Sequence, residues 1–89
     1  MLKEIKQSMR ISHNALNNNI LDDIEICKID LSMAGVYCKD TDKLLQKACE
    51  LYVKWQHNYL GKGEQFEKAY RSLKDAMALC GDYNVRPSN

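Results

Sequence analysis

Residues 20–34 read Ile20-Leu21-Asp22-Asp23-Ile24-Glu25-Ile26-Cys27-Lys28-Ile29-Asp30-Leu31-Ser32-Met33-Ala34 and contain two apolar stripes. At the roughly 100° turn per residue of an α-helix, one side collects Ile20, Ile24, Cys27, Leu31 and Ala34. The nearly opposite side collects Ile26, Ile29 and Met33. A surface helix needs only one apolar stripe. The pattern therefore predicts a helix over about residues 18–34 that is covered on both sides.

The second stripe, here called the outer stripe (Ile26, Ile29 and Met33), has two interpretations. In the first, the helix is the central element of a small bundle and the stripe is buried within the domain. In the second, the stripe is exposed on the isolated subunit and contacts another chain, as large exposed apolar patches commonly do. We predict that these three residues form part of a subunit contact.

Working outward from this helix, hydrophobic periodicity predicts three more, over residues 2–10, 42–60 and 64–80. Thr41 or Asp42 is expected to cap the third helix. Gly61 and Gly63 break the chain before the last one, a spacing typical of a tight reversal. The fold class is therefore predicted to be all-α: a small bundle of about four helices with a C-terminal antiparallel helical hairpin.

Aromatic side chains lie along the predicted hairpin. Tyr52, Trp55 and Tyr59 share the apolar face of the third helix, and Phe66 and Tyr70 lie on the stripe of the fourth. Large aromatic residues at helical spacing are typical of a core. We expect Trp55 to be buried between the two helices.

The length of 89 residues permits one domain. We place a helical domain at residues 1–81 and a flexible tail at residues 82–89, because the tail is polar, contains Pro87 and has no helical period. Hydrophobic residues make up 45% of the chain and charged residues 28%, which excludes a disordered composition. So small a domain is only modestly stable alone, which favours association with partners.

The charge balance excludes some partners. The net charge is +1, whereas a dedicated nucleic-acid binder usually has a clear basic excess. The apolar runs are far shorter than the roughly 20 residues needed to span a bilayer. We expect a soluble protein with no membrane partner, made in a cytoplasm.

No residue pattern points to catalysis or to a cofactor. Four cysteines, Cys27, Cys38, Cys49 and Cys80, lack the close pairing of a zinc site, and a reducing compartment predicts free thiols. His13 and His57 are isolated surface candidates. We therefore expect no enzymatic activity, no metal and no cofactor.

The order of motifs resembles a known family. The first half contains Met9-Arg10-Ile11-Ser12, Ile20-Leu21-Asp22-Asp23-Ile24 and Asp30-Leu31-Ser32-Met33-Ala34-Gly35-Val36. The second contains Leu44-Leu45-Gln46-Lys47-Ala48, Leu51-Tyr52-Val53-Lys54, Tyr70-Arg71-Ser72-Leu73-Lys74 and Gly81-Asp82-Tyr83. Across nearly the whole chain this series resembles the small head–tail connector proteins of tailed bacteriophages, often described as DNA-packaging proteins. The four cysteines and the triple Asn at 17–19 depart from that pattern.

The resemblance implies a non-enzymatic structural subunit. Such proteins form a ring below the portal of a filled capsid, extend the DNA channel and help to complete the head. The implied partners are the portal protein, the next head-completion or tail-joining protein, further copies of the chain, and double-stranded DNA in transient, non-specific contact. The implied location is the head–tail junction of the virion.

Two sets of residues are assigned under this resemblance. Lys62, Lys68 and Arg71 are candidates for facing the channel or touching DNA. Tyr83, Val85 and Arg86 are candidates for docking on the portal, because Tyr and Arg often anchor interfaces. An alternative for Tyr83 is that it folds back over the end of the last helix.

A rival hypothesis is a small helix-turn-helix DNA-binding regulator. The Lys62-Gly63 turn would join the two helices, and the last helix would read DNA through Lys68, Arg71 and Lys74. Acidic residues are interleaved with these, at Glu64, Glu67 and Asp75, and would meet phosphates unfavourably. The connector is the preferred hypothesis for this reason.

Overall fold

The computed structural model describes residues 1–84, and within that range it is built from helices alone. The four α-helices are α1 (Leu2–Ser8), α2 (Asn17–Met33), α3 (Lys43–Gln56) and α4 (Gly63–Ala78). Two single 3₁₀ turns, Tyr59–Gly61 and Gly81–Tyr83, follow α3 and α4. The predicted all-α class and helix number are confirmed.

Local chemistry explains the helix boundaries. The Asp42 carboxylate accepts hydrogen bonds from the backbone N–H groups of Leu44 (2.8 Å) and Leu45 (3.2 Å), so Asp42 rather than Thr41 caps α3. The prediction that this helix continues to residue 60 was wrong. Asn58 and Leu60 both have positive φ angles, which an α-helix cannot contain, and α3 ends at Gln56.

The first helix is also shorter than predicted. It ends at Ser8 rather than at residue 10, because Arg10 has a positive φ of 57°. The chain turns there, and the Ile11 N–H donates a hydrogen bond to the Lys6 carbonyl (2.9 Å). Ile5 and Met9 are both buried, so this short helix is stabilised by packing on the bundle.

Helix α3 is the centre of the bundle. His57, just after its end, contacts Asp23 near the start of α2 (Nε2 to Oδ2, 3.0 Å), so α2 and α3 are antiparallel. The ring centroids of Tyr59 and Phe66 lie 6.2 Å apart, and Tyr52 contacts Tyr70 further along, so α4 also runs antiparallel to α3. The C-terminal antiparallel hairpin is present as predicted.

The core forms where α1, α2 and α4 meet α3. Its buried apolar residues are Ile5, Met9, Ile20, Ile24, Cys27, Leu31, Val36, Leu45, Ala48, Cys49, Val53, Tyr70 and Met77. One predicted stripe of α2 is thus buried as expected, except for Ala34. That residue is exposed because it lies just beyond the last turn of α2.

Trp55 is not the buried core residue that was expected. It is half-buried at the edge of the α3–α4 contact, while Val53 is fully buried on the same helix. A rotation of about 200° separates two helical positions two residues apart, so Val53 and Trp55 face different sides of α3. Trp55 packs on Tyr70, at 6.1 Å between ring centroids, and its outer side remains accessible.

The first part of the predicted tail is attached to the domain. Tyr83 accepts a hydrogen bond at its carbonyl from the Tyr37 N–H (2.7 Å), and its hydroxyl donates to Asp42 (3.0 Å). Desolvation and the bond to Asp42 raise the pKa of Tyr83 to about 12, so the donor stays protonated near neutral pH. These two bonds join residue 83 to the domain, and the flexibility assigned to residues 82–89 stays a prediction. Val85 and Arg86 lie outside the described residues.

Within residues 1–84, none of the helices combines the length and the apolar character that a bilayer span requires.

Candidate functional site: an apolar surface on helix α2

The outer stripe of α2 is exposed to solvent. The exposed fraction is 49% for Ile26, 57% for Ile29 and 75% for Met33. These residues lie about 180° from the buried stripe of the same helix, so packing that buries one stripe leaves the other uncovered. Among the two interpretations of the sequence, burial within the domain does not occur. A contact with another chain stays a prediction.

The outer stripe borders a groove between α2 and α4. Tyr52 and Trp55 of α3 form part of its lining, with Tyr70 and Arg71 of α4 on the far side, around a space of about 190 Å³. The groove exists because α2 and α4 both pack mainly on α3 and make little contact with each other. Apolar and aromatic side chains therefore form one continuous surface with the stripe.

The aromatic side chains of the groove hold one another in fixed orientations. Tyr52 meets Trp55 edge-on at 5.5 Å and Tyr70 edge-on at 5.2 Å between ring centroids. Such arrangements are favoured by the aromatic quadrupole. The Arg71 guanidinium lies 5.3 Å from the Trp55 ring centroid and pairs with Glu67 at 2.9 Å. The surface is thus preorganised, which lowers the entropic cost of a contact.

A polar cluster joins α2 to α4 at the edge of the groove. The Tyr70 hydroxyl donates to Asp30 (2.6 Å), Lys74 donates to the same carboxylate oxygen (3.1 Å), and the Cys27 thiol donates to the Tyr70 oxygen (3.8 Å). Partial burial opposes ionisation of Asp30. The hydrogen bonds from Tyr70 and Lys74 outweigh this effect and keep the pKa of Asp30 below its ordinary value. Burial, followed by the bond to Asp30, raises the pKa of Tyr70.

The three predicted basic residues have different surroundings. Arg71 is drawn to the groove by Trp55 and Glu67, whereas Lys62 precedes α4 and Lys68 lies on its exposed side. Their assignment to a DNA channel stays a prediction. Tyr83, predicted to dock on a partner, contacts Asp42 of its own chain, and its docking role stays a prediction.

The cysteines and histidines have structural surroundings. All four cysteines are free, and Cys27 and Cys49 are buried neighbours in the α2–α3 contact. The adjacent Cys27 thiol, together with burial, raises the pKa of Cys49. His57 is not isolated as expected, because it contacts Asp23. Within residues 1–84, no three potential metal ligands lie close enough together to hold an ion.

Sequence reasoning found the outer stripe but missed the groove beside it. The periodicity of α2 identified Ile26, Ile29 and Met33 directly. Trp55 and Tyr52 were assigned to the core because their spacing marks an apolar face, and spacing alone does not say how much of that face a neighbouring helix covers.

No protein-family model, curated protein or solved structure matches this chain.

Proposed function

We propose that this chain is a structural subunit of a tailed-phage or prophage head–tail connector. In this role it forms a ring below the portal, extends the DNA channel and helps to complete the head after packaging. The observation that carries the proposal is the outer stripe of α2, whose three large apolar residues are 49–75% exposed. The resemblance of the motif series to connector proteins supports it.

The exposed stripe favours a subunit of an assembly over a protein that acts alone. A small monomer rarely leaves three large apolar residues exposed on one face of one helix. A head-to-tail contact closes into a ring when its rotation permits, and it requires two different surfaces on each subunit. The stripe supplies one of these surfaces.

The charge of the chain suits a channel wall. Its net charge of +1 would hold DNA weakly, so that the duplex can slide. Lys62, Lys68 and Arg71 are the residues we assign to transient, non-specific contact with DNA. The other partners are the portal protein and the next head-completion or tail-joining protein, at the head–tail junction of the virion. The subunit is made in the cytoplasm of the bacterial host and acts without catalysis.

The test is assembly on a portal. The purified chain is mixed with the portal protein encoded in the same genome, and the complex is isolated by gel filtration and imaged by negative-stain microscopy. A ring of this chain on one end of the portal is expected, and no co-elution would contradict the proposal. The matched control is an Ile29→Glu chain, which should remain folded and fail to form the ring.

The same sample distinguishes the helix-turn-helix alternative. An electrophoretic shift is measured with random-sequence DNA and with fragments from the surrounding genome. A connector should give weak binding that is independent of sequence and is lost at moderate salt. A stable shift confined to one fragment would replace the connector with a DNA-binding regulator.

A further inference from the structure

The outer stripe has an acidic border. Asp22 and Glu25 are exposed, and they lie one helical turn before Ile26 and Ile29, respectively. Glu25 is 3.6 Å from Lys28, which also pairs with Asp40.

Helix α2 as a whole is acidic, because it contains four acidic side chains and one lysine. Its other two carboxylates are engaged within the chain: Asp23 contacts His57, and Asp30 accepts from Tyr70. Asp22 and Glu25 are the exposed carboxylates of the helix, and Glu25 keeps 71% of its side chain accessible beside Lys28, so these are the charges that a docking partner meets.

A surface of the opposite character lies on α1. A groove of about 250 Å³ is lined by Leu2, Lys3, Lys6, Gln7 and Ile11. Leu2 and Ile11 are half-buried, while Lys3 is exposed and Lys6 donates to the Asn14 side chain at 3.0 Å. Two apolar side chains are thus bordered by two ammonium groups. This composition is complementary to the two isoleucines and two carboxylates of α2.

The two surfaces cannot meet within one chain. Helix α1 packs on α2 and α3, and its buried residues Ile5 and Met9 share the core with Ile20 and Ile24. The outer stripe lies about 180° around α2 from that core. A contact between the stripe and an α1 groove therefore requires a second copy. A contact that pairs one stripe with one α1 groove leaves the second surface of each copy free for a further copy, so copies can join head-to-tail.

We propose that the outer stripe of one copy docks in the α1 groove of the next, with Asp22 and Glu25 facing Lys3 and Lys6. This inference deepens the proposed function, because it names the two surfaces that would join connector subunits. Complementary charge sets the register and the rate of such contacts, and the apolar residues supply most of their stability.

The experiment reverses the charge on each surface separately. One variant carries Asp22→Lys and Glu25→Lys, a second carries Lys3→Glu and Lys6→Glu, and a third carries all four changes. Self-association is measured by sedimentation velocity over a range of concentrations. Each of the first two variants should weaken self-association about tenfold or more, because like charges then face each other. The third should recover it.

Mixing gives a sharper readout. The first two variants, combined in equal amounts, should associate with each other more strongly than either associates with itself, because each stripe then meets an α1 groove of opposite charge. A control with Asp75→Lys and Asp82→Lys makes the same change in net charge as the first variant, at exposed positions outside both surfaces, and it should associate like the unaltered chain. Circular dichroism checks that every variant is folded.

The outcomes separate this inference from the proposed function. An unaltered chain that stays monomeric, or a four-fold variant and a mixture that both fail to associate, would overturn the pairing of these surfaces. If the unaltered chain still forms a ring on the portal after either of these results, the connector function survives without this contact. If the four-fold variant recovers self-association but the unaltered chain does not bind the portal, the contact is supported and the proposed connector function is contradicted.

Discussion

The Tyr70 hydroxyl donates a 2.6 Å hydrogen bond to the carboxylate of Asp30, and this bond ties α4 to α2 across the groove. Tyr70 is 1% exposed, so its hydroxyl has little access to water as an alternative partner. The two helices otherwise make little contact. The width of the groove therefore depends on this pair and on the Lys74 side chain that shares Asp30.

Replacing Tyr70 with Phe should destabilise the fold by about 1–2 kcal/mol. The change removes the donor to Asp30 and also removes the oxygen that accepts from the Cys27 thiol. Urea unfolding followed by circular dichroism measures the loss. Tyr59→Phe removes a hydroxyl from a half-buried tyrosine outside this cluster and should cost less. Equal losses for the two variants would contradict the role of the cluster.

Acid should weaken the same cluster. The folded-state pKa of Asp30 lies below its ordinary value of 3.8. Its contribution is therefore fully present above that value and is lost as the pH falls through the lower, folded-state pKa. Melting temperatures of the unaltered chain and of Asp30→Asn are compared as the pH falls from neutral, and the gap between them should narrow only below the ordinary value of 3.8. A gap that stays constant with pH would show that the Asp30 charge does not stabilise the fold.

Sequence periodicity was sufficient to locate the buried stripe of α2. Ile20, Ile24, Cys27 and Leu31 of α2 are buried as predicted. Periodicity failed at the helix ends, because the positive φ angles of Asn58 and Leu60 carry no apolar signal.

The groove could not be predicted from the sequence either, and the reason differs from that for the helix ends. Its existence depends on the poor contact between α2 and α4, and hydrophobic spacing describes each helix separately rather than the gap between two helices. The bond between Tyr83 and Asp42 joins positions 41 residues apart, so no local pattern reveals it.

Trp55 should report directly on the groove. Its indole is half-buried beneath the Arg71 guanidinium, so emission from the monomer should lie between that of a buried and that of an exposed indole, and acrylamide should quench it in part. If another chain covers the groove, emission should shift to shorter wavelength as the protein concentration rises. Trp55→Ala should cost about 2 kcal/mol in the monomer, less than the roughly 3–5 kcal/mol of a fully buried aromatic. Blue-shifted emission at low concentration would contradict the half-buried position.

Ile29→Glu should separate assembly from folding. Ile29 is 57% exposed, so a carboxylate there stays hydrated and should change the unfolding free energy by less than about 0.5 kcal/mol. The same carboxylate placed in an apolar contact is desolvated and should prevent self-association. Leu79→Glu is the matched control, since Leu79 is 87% exposed and lies outside the stripe and the groove. Helix loss in the Ile29 variant would mean that the stripe stabilises the monomer itself.

The last prediction distinguishes two parts of the C-terminal segment. Tyr83 binds Tyr37 and Asp42, and Asp42 also caps α3, so removing residues 82–89 should lower the melting temperature. Removing only residues 85–89 keeps those bonds, and it should leave the melting temperature of the monomer nearly unchanged. If Val85 and Arg86 dock on the portal, the shorter deletion should still abolish portal capture in a pull-down. Undiminished capture by that truncated chain would move the portal contact to the helices.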